Sequence, residues 1–270
     1  MSTQTKSFYQ NTIIGVISGI IEVSFLQPLL YCKNASQQKL GYTINPRILY
    51  RGVTMSMTNM AVLTGLQVPL TDLISKSIFR RDKHILTGKV PARTRYKEKI
   101  LSSFGGGVVS GLVCAPMELI MVQQQRHGYS LVKTPSMIIS RTGVRGLMRG
   151  LIMSSGREGL FTVGYLGIGP IFSDYLKKTY QLKNNVAKIY GAIGVGIVTA
   201  TLSHPMDTIK TCMQGDIERK KYTTIIETAK TLFKEKGISR FFYGWGWRTV
   251  KMIGAIFIMS QCKDRLSLLV

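Results

Sequence analysis

Two oppositely charged residues, Arg157 and Glu158, stand side by side inside an otherwise largely apolar segment, 151–172. Ionisable side chains are rare in apolar segments of this kind, and they normally face a polar interior. A guanidinium binds a carboxylate through two parallel hydrogen bonds, and a carboxylate binds an ammonium group. The pair therefore predicts a binding site for a charged small molecule. The alternative is an internal ion pair that only neutralises itself.

A threefold repeat surrounds this pair. Pro28, Pro116 and Pro205 recur at nearly equal intervals, and a glutamine lies nine positions after each of them. Small residues precede the prolines in matching phase: Gly15 and Gly19, Ser103 and Gly107, Ala192 and Gly196. The chain thus consists of one unit repeated three times. We expect the small residues to let neighbouring helices approach closely, although incidental glycine content is the alternative.

The repeat resembles the mitochondrial carrier family, whose signature is Pro-x-[Asp/Glu]-x-x-[Lys/Arg] with a glutamine four residues further on. The resemblance implies an all-α membrane protein of the mitochondrial inner membrane. Six transmembrane helices would form three two-helix repeats around a central cavity, each repeat with a short matrix-side helix. The repeats are predicted at 1–90, 91–182 and 183–270. Residues 1–11 show neither a transit peptide nor a signal sequence, so entry through internal signals is implied.

Apolar stretches, and the helix-breaking residues between them, predict where the helices begin and end. Long helices are predicted from about 12 to beyond 33, and at 53–76, 97–125, 151–178, 186–214 and 247–266. Shorter helices are predicted at 136–141 and 223–236, with a loop between repeats at 80–95. The first glutamine-to-glycine connection has 15 residues, against 25 and 30 in the others, so it has little room for a helix. Each proline bends its helix, which predicts closure of one end of the barrel.

The resemblance implies a matrix gate in which signature acids and bases pair between odd-numbered helices. The signature positions hold Lys33, Glu118, Asp207 and Lys210, and the bracing glutamines are Gln37, Gln125 and Gln214. Lys33 is expected to pair with Glu118. The partners expected for Asp207 and Lys210 are Met121 and Leu30, which form no ion pairs. One interhelical pair of three would remain, with Asp207 and Lys210 satisfying each other on one helix, and the gate would be weakened or permanently set.

A second, cytoplasmic gate is also incomplete. Twenty residues after helix-starting glycines stand Asp72 and Asp264, each followed by serine where the family has a base. The matching position in the middle repeat is Pro170, although Asp174 and Lys177 offer a shifted version.

Substrate contact points in carriers lie seven and eight residues after the helix-starting glycines. Here the resemblance selects Asn59, Arg157, Glu158 and Lys251. This set is similar to that of carriers for amino acids or carnitine-type zwitterions. Arg157 or Lys251 would hold a carboxylate, and Glu158 an ammonium group. Arg248, one turn before Lys251, would supply a further positive charge, and Glu22 a second acid.

Positive charge favours contact with lipid. The chain has 36 Lys and Arg against 13 Asp and Glu, a net charge of +23, and the basic residues cluster in the connections. In a soluble chain this would favour nucleic acid, but clusters at membrane boundaries favour anionic headgroups, and no nucleic-acid partner is expected. Gly52, Gly150 and Gly244 match the family's cardiolipin sites, where backbone donors at a helix start suit phosphate. Plain helix starts are the alternative.

Nothing in the sequence points to a cofactor, a metal or an enzyme. Cys32, Cys114, Cys212 and Cys262 lack metal-ligand spacing and are expected to pack as reduced thiols. His84, His127 and His204 lie far apart, with no nucleophile or metal partner at a recognisable spacing.

Two hypotheses remain. The first is a solute carrier that moves a small carboxylate-bearing metabolite by alternating access. The second is a non-transporting protein of the same fold, serving as a structural or accessory subunit of a respiratory complex. The charged contact residues favour the first, and the incomplete gates favour the second.

Overall fold

A computed structural model of the chain describes residues 3–79 and 92–266, and these ranges contain helices and no β-strand. The helices are α1 (Thr3–Gln38), α2 (Pro46–Leu49), α3 (Val53–Phe79), α4 (Ala92–His127), α5 (Lys133–Thr142), α6 (Leu151–Thr162), α7 (Gly169–Tyr180), α8 (Asn184–Gly215), α9 (Ile225–Lys236) and α10 (Trp245–Leu266). The predicted all-α class is confirmed.

Several boundaries differ from the prediction, and α1 already begins at Thr3 rather than near residue 12. The predicted fourth long helix is interrupted, because a π-helical stretch at Val163–Ile168 separates α6 from α7. Pro170 stands at the start of α7, where its missing N–H is tolerated. The predicted loop at 80–95 is too long, since α4 already begins at Ala92, and the rest of it lies outside the described residues. The first connection holds only the four residues of α2, as its length predicted.

The long helices close into a ring. α1 packs against α3 and α10, α4 packs against α3 and α6, and α8 packs against α6, α7 and α10. Among the described residues, three helical stretches are long and apolar enough to cross a membrane: Val16–Gln38, Tyr96–His127 and Asn184–Gly215. These are the three stretches that carry the proline signatures. The other helices of the ring alternate with them.

Glycines on α4 bring its two neighbours close. A Cβ at Gly107 would lie 2.6 Å from the carbonyl oxygen of Glu158 on α6, and a Cβ at Gly106 would lie 2.9 Å from the backbone nitrogen of Thr71 on α3. Only a residue without a side chain fits at such separations. The predicted close approach at Gly107 is therefore present, and α4 is wedged between α3 and α6.

Two short amphipathic helices cover one end of the ring. On α9, Leu232 is fully buried against Ile209 and Met213 of α8. On α5, Ile138 is fully buried against Leu119 and Ile120 of α4. Burial of these apolar faces holds both helices against the C-terminal parts of α4 and α8. We call this end of the ring the proline end. It is formed by the parts of α1, α4 and α8 that come after Pro28, Pro116 and Pro205 in the chain.

Candidate functional site

Nine ionisable side chains form ion pairs inside the ring, seven of them in one connected network and Glu22 with Lys251 in a separate pair. We call this group the central cluster. Its acids are Glu22, Glu118, Glu158 and Asp207, and its bases are Lys33, Arg157, Lys210, Arg248 and Lys251. Most of these residues are buried. Charges can be held away from water only when they are paired and hydrogen-bonded.

Lys33 on α1 pairs with Asp207 on α8. The Lys33 Nζ lies 2.7 Å from Asp207 Oδ2, and both side chains are buried. Gln37, one turn below Lys33, donates from Nε2 to the same carboxylate oxygen at 2.9 Å. The predicted pairing of Lys33 with Glu118 is therefore wrong. Equal spacing along each helix places these groups at one level, but it does not say in which direction around the ring an acid meets a base.

Glu118 on α4 pairs with Lys210 on α8, with Nζ 3.2 Å from Oε2. Ser154 of α6 also donates to Glu118. Two interhelical pairs thus form, rather than the single pair predicted, and both join α8 to another signature helix. Lys210 also lies 3.7 Å from Asp207 on its own helix, as expected from their spacing. Since two pairs hold α1 and α4 to α8, the prediction of a gate with one pair is wrong.

The third signature contact has no charge. Its positions are Leu30 on α1 and Met121 on α4, and Met121 is buried and accepts a hydrogen bond from Ser56 at 3.0 Å. The other bracing glutamines also differ from Gln37. Gln125 accepts from Asn34 at 2.5 Å, and Gln214 donates to the carbonyl oxygen of Arg149 at 3.4 Å. Gln37 is thus the brace whose side chain donates directly to an ion pair.

Arg157 reaches from α6 into the proline end. Its Nη2 contacts Glu118 and lies 2.5 Å from Oε1 of Glu158, and its Nε lies 3.5 Å from Asp207. Glu158 in turn accepts from Gln67 of α3 at 3.3 Å. Arg157 and Glu158 do form an ion pair with each other. The Arg157 guanidinium also contacts the two signature acids, Glu118 and Asp207. Arg157 thus supplies the gate with a positive charge from an even-numbered transmembrane helix.

The other predicted contact residues lie apart from Arg157. Lys251 on α10 donates to Glu22 on α1 at 2.8 Å, and its side chain is 25% exposed. Asn59 on α3 is half-buried, and its Oδ1 has no hydrogen-bond partner among the described residues. The structure thus brings Arg157 and Glu158 together, whereas Lys251 belongs to a second pair that joins α1 to α10.

Arg248 was expected from the sequence only to add a positive charge beside Lys251. Its Nη2 donates to Ser203 of α8 at 2.8 Å, and its Nη1 lies 3.5 Å from Asp207. The signal for this residue was an arginine one turn before Lys251 at the head of an apolar segment. Position 248 is not a contact point in the family pattern, so the resemblance did not select Arg248 as a substrate contact.

The predicted second gate lies at the opposite end of the ring. Asp72 on α3 is exposed and forms no ion pair with any side chain that the structure describes. Asp174 and Lys177, the shifted version on α7, are both exposed. The side chain of Asp264 lies outside the described residues. Asp72 and Asp174 therefore face solvent, while the signature acids Glu118 and Asp207 of the proline end are buried.

Two cavities open on the outside of the proline end, each beside a helix-starting glycine. One, of about 1060 Å³, is lined by Gly244 with Lys39, Tyr42, Trp245 and Trp247. The other, of about 380 Å³, is lined by Gly150 with Arg145, Arg149 and Arg219. Gly150 and Gly244 have φ of +78° and +81°, a conformation that L side chains rarely adopt. Gly52 shares it at +77°.

Known proteins resemble this chain over most of its length. The family model described as mitochondrial carrier protein matches residues 181–270. A mitochondrial glycine transporter of Yarrowia lipolytica is 25% identical over 87% of this chain and 86% of its own. The mitochondrial citrate transporter A of Aspergillus niger is 22% identical over 94% and 91%. The mitochondrial 2-oxodicarboxylate carrier 1 of Saccharomyces cerevisiae is 25% identical over 90% and 87%.

These relatives are named as mitochondrial transporters or carriers. The family fold has six transmembrane helices, in agreement with the closed helical ring described above. The threefold signature, the match of residues 181–270 to the family model and the relatives over nearly the full length support membership of the mitochondrial carrier family, whose members are multi-pass proteins of the inner mitochondrial membrane.

Proposed function

We propose that the protein carries a small carboxylate-bearing metabolite, of the amino-acid or carnitine type, across the inner membrane by alternating access. Asn59, Arg157, Glu158 and Lys251 would line the substrate site. The pairs of Lys33 with Asp207 and of Glu118 with Lys210 would form the matrix gate.

The observation that carries this proposal is the charge balance of the central cluster. Five bases face four acids, so the cluster holds one positive charge in excess among the described side chains. A buried excess charge is costly, and an anionic ligand removes that cost. A carboxylate supplies one negative charge and accepts several hydrogen bonds. An ammonium group on the same molecule would compete with Arg157 for Glu158.

Arg157 couples the substrate site to the gate in this proposal. Its guanidinium contacts Glu158 and also the gate acids Glu118 and Asp207. A substrate carboxylate that draws Arg157 away would weaken its contacts with both gate acids. Because a ligand shifts a conformational equilibrium only through its different affinity for the two states, this competition provides the difference that opening requires.

The relatives support the chemical class. Glycine, citrate and 2-oxodicarboxylates, the solutes named for three of them, all bear a carboxylate. Beyond this shared group they differ in size and charge. The amino-acid or carnitine type is favoured here because Glu158 and Glu22 provide acids for a cationic group.

We infer that anionic lipid, cardiolipin in particular, occupies the two cavities at Gly150 and Gly244. Arg145, Arg149 and Arg219 surround the smaller cavity, and Lys39 lies in the larger one. Basic side chains and free backbone donors at a helix start both attract phosphate. The tryptophans of the larger cavity suit the membrane interface.

Uptake into liposomes tests the proposal. The purified protein would be reconstituted with cardiolipin and offered labelled glycine, carnitine, 2-oxoglutarate and citrate. We expect uptake of at least one solute, abolished by Arg157→Ala and retained by Lys230→Gln, an exposed lysine of α9. Absence of uptake for every solute, together with co-purification of the native protein with a respiratory complex, would support the structural role instead.

A further inference from the structure

Arg248 stands out among the bases of the central cluster. Each of the other four makes a close contact with a carboxylate: Lys33 with Asp207, Arg157 with Glu118 and Glu158, Lys210 with Glu118, and Lys251 with Glu22. Arg248 has a hydroxyl partner, Ser203, and its Nη1 is buried with no hydrogen-bond partner among the described residues. Arg157 Nε also lacks a hydrogen-bond partner, but the Nη2 of that guanidinium already contacts two carboxylates. Its side chain is only 7% exposed.

Asp207 does not fill this gap. The nearest carboxylate oxygen, Asp207 Oδ2, lies 3.5 Å from Arg248 Nη1. That oxygen already accepts hydrogen bonds from Lys33 at 2.7 Å and from Gln37 at 2.9 Å. A carboxylate oxygen has two lone pairs, so both are in use. The Nη1 of Arg248 is therefore a buried, charged donor without an acceptor. This costs free energy unless a ligand supplies the acceptor.

The location of Arg248 fits a ligand. It lies one helical turn before Lys251, whose side chain remains 25% exposed, so both residues share one face of α10. Ser203 holds the Nη2 of the guanidinium at 2.8 Å. With one nitrogen fixed, the planar group is oriented in advance, which reduces the entropy lost on binding.

We propose that Arg248 is the principal binding residue for the carboxylate of the transported solute, ahead of Arg157 and Lys251. This inference rests on the transport function proposed above. The guanidinium offers its unpartnered Nη1 to one carboxylate oxygen. Lys251 and Arg157 then act mainly through the acids with which they are already paired.

Substitutions that remove the same charge at matched positions test this ranking. Arg248→Gln and Lys251→Gln lie one turn apart on α10, and Lys230→Gln removes a lysine charge from the exposed face of α9. Each variant would be reconstituted and its KM and maximal rate measured for the solute that the wild-type protein takes up best. Competition by the corresponding amide, glycinamide in the case of glycine, would measure how strongly each variant discriminates for a carboxylate.

We expect Arg248→Gln to raise KM by about tenfold or more, because it removes a charge-assisted hydrogen bond. It should also reduce the preference for the acid over its amide. Lys251→Gln should have a smaller effect on that preference, and Lys230→Gln none. Arg248→Lys keeps the charge without the fork, so it should recover part of the preference. This variant also decides the question if Arg248→Gln fails to give a folded protein.

Two results would overturn the inference in distinguishable ways. If the wild-type protein takes up solute and Arg248→Gln and Arg248→Lys keep its KM and its preference for the acid, Arg248 is not the carboxylate site, and the proposed transport function still stands. If the wild-type protein takes up no solute in the panel, the proposed function fails and this inference fails with it.

Discussion

The two ends of the ring differ in how they hold their acids. At the proline end, Glu118 and Asp207 are buried and contacted by bases from several helices. At the opposite end, Asp72 and Asp174 are exposed. A transporter that exposes its site to one side at a time needs one end closed while the other is open. In the proposed transport cycle this arrangement is the state closed at the proline end, the side that the family resemblance assigns to the matrix.

The two ends should also differ in their sensitivity to substitution. Buried ion pairs are strongly destabilised when one partner is removed, because the remaining charge is left without compensation. Exposed charges contribute little. Substitutions at the proline end should therefore change stability and transport far more than equivalent substitutions at the opposite end.

The largest effect is expected for Asp207→Asn. The change removes the partner of Lys33 and a neighbour of Lys210, Arg157 and Arg248, so it should cost about 3–5 kcal/mol. In a protein of this size that corresponds to a fall in melting temperature of about 10 °C. Thermal unfolding in detergent would measure it, with Asp174→Asn as the matched control at the opposite end. Similar melting temperatures for the two variants would remove the distinction between the ends.

A second effect concerns the outer surface of the proline end, at Glu235 on α9. Burial raises the pKa of this carboxyl, but hydrogen bonds from Lys221, Lys39 and Arg240 outweigh burial and leave the pKa well below its usual value. The distances are 2.6 Å to Lys221, 2.6 Å to Lys39 and 2.7 Å to Arg240. Glu235→Gln should cost about 2–4 kcal/mol at neutral pH.

The pH dependence of that effect follows from the lowered pKa. The stabilisation is complete above the unfolded pKa of about 4.3 and is lost as pH falls through the folded pKa. Melting temperatures of the wild type and of Glu235→Gln should therefore converge as pH is lowered from about 5 to about 2. Glu227→Gln, which alters an exposed pair with Lys230, provides the control. A difference between wild type and Glu235→Gln that stays constant over this range would contradict the assignment.

A third effect is expected at the glycine of the larger cavity. Gly244 has φ of +81°, and a Cβ there would lie 2.9 Å from the carbonyl oxygen of Lys33. Gly244→Ala should therefore cost about 1–2 kcal/mol. If lipid binds there, the variant should also gain less thermal stability from added cardiolipin than the wild type does.

The control for this glycine is Gly65→Ala on α3, where an added Cβ meets nothing within 4 Å. Because alanine favours a helix more than glycine, this change should stabilise by roughly 0.5–1 kcal/mol. A Gly244→Ala protein as stable as the wild type, with an unchanged response to cardiolipin, would argue against both the strain and the lipid site.

The last prediction concerns the coupling between two substitutions that convert the uncharged third contact into a charged one. Leu30→Glu and Met121→Lys should each destabilise, because each buries an unpaired charge. Together they should recover about 0.5–3 kcal/mol of coupling energy if the two positions meet as the threefold pattern implies. A double-mutant cycle of melting temperatures would measure the coupling. Strict additivity would show that the positions do not pair.

The sequence by itself determined the helical class, the threefold repeat and most of the residues of the central cluster. Proline, glutamine and glycine at fixed spacing mark equivalent levels on the three signature helices, and Gly107 lies in close contact with α6 as the small-residue phase predicted. The short first connection also limited α2 to a single turn. These features depend on spacing along one helix, which sequence records directly.

Only the tertiary structure decided which charges meet. Spacing along each helix is the same in every repeat, so it fixes height but not the direction around the ring, and Lys33 therefore met Asp207 rather than Glu118. Likewise the reach of Arg157 across to Glu118, and the unpartnered nitrogen of Arg248, depend on how the helices pack against one another. Which buried charges pair depends on which side chains are neighbours in space, and the order of residues along the chain does not specify this.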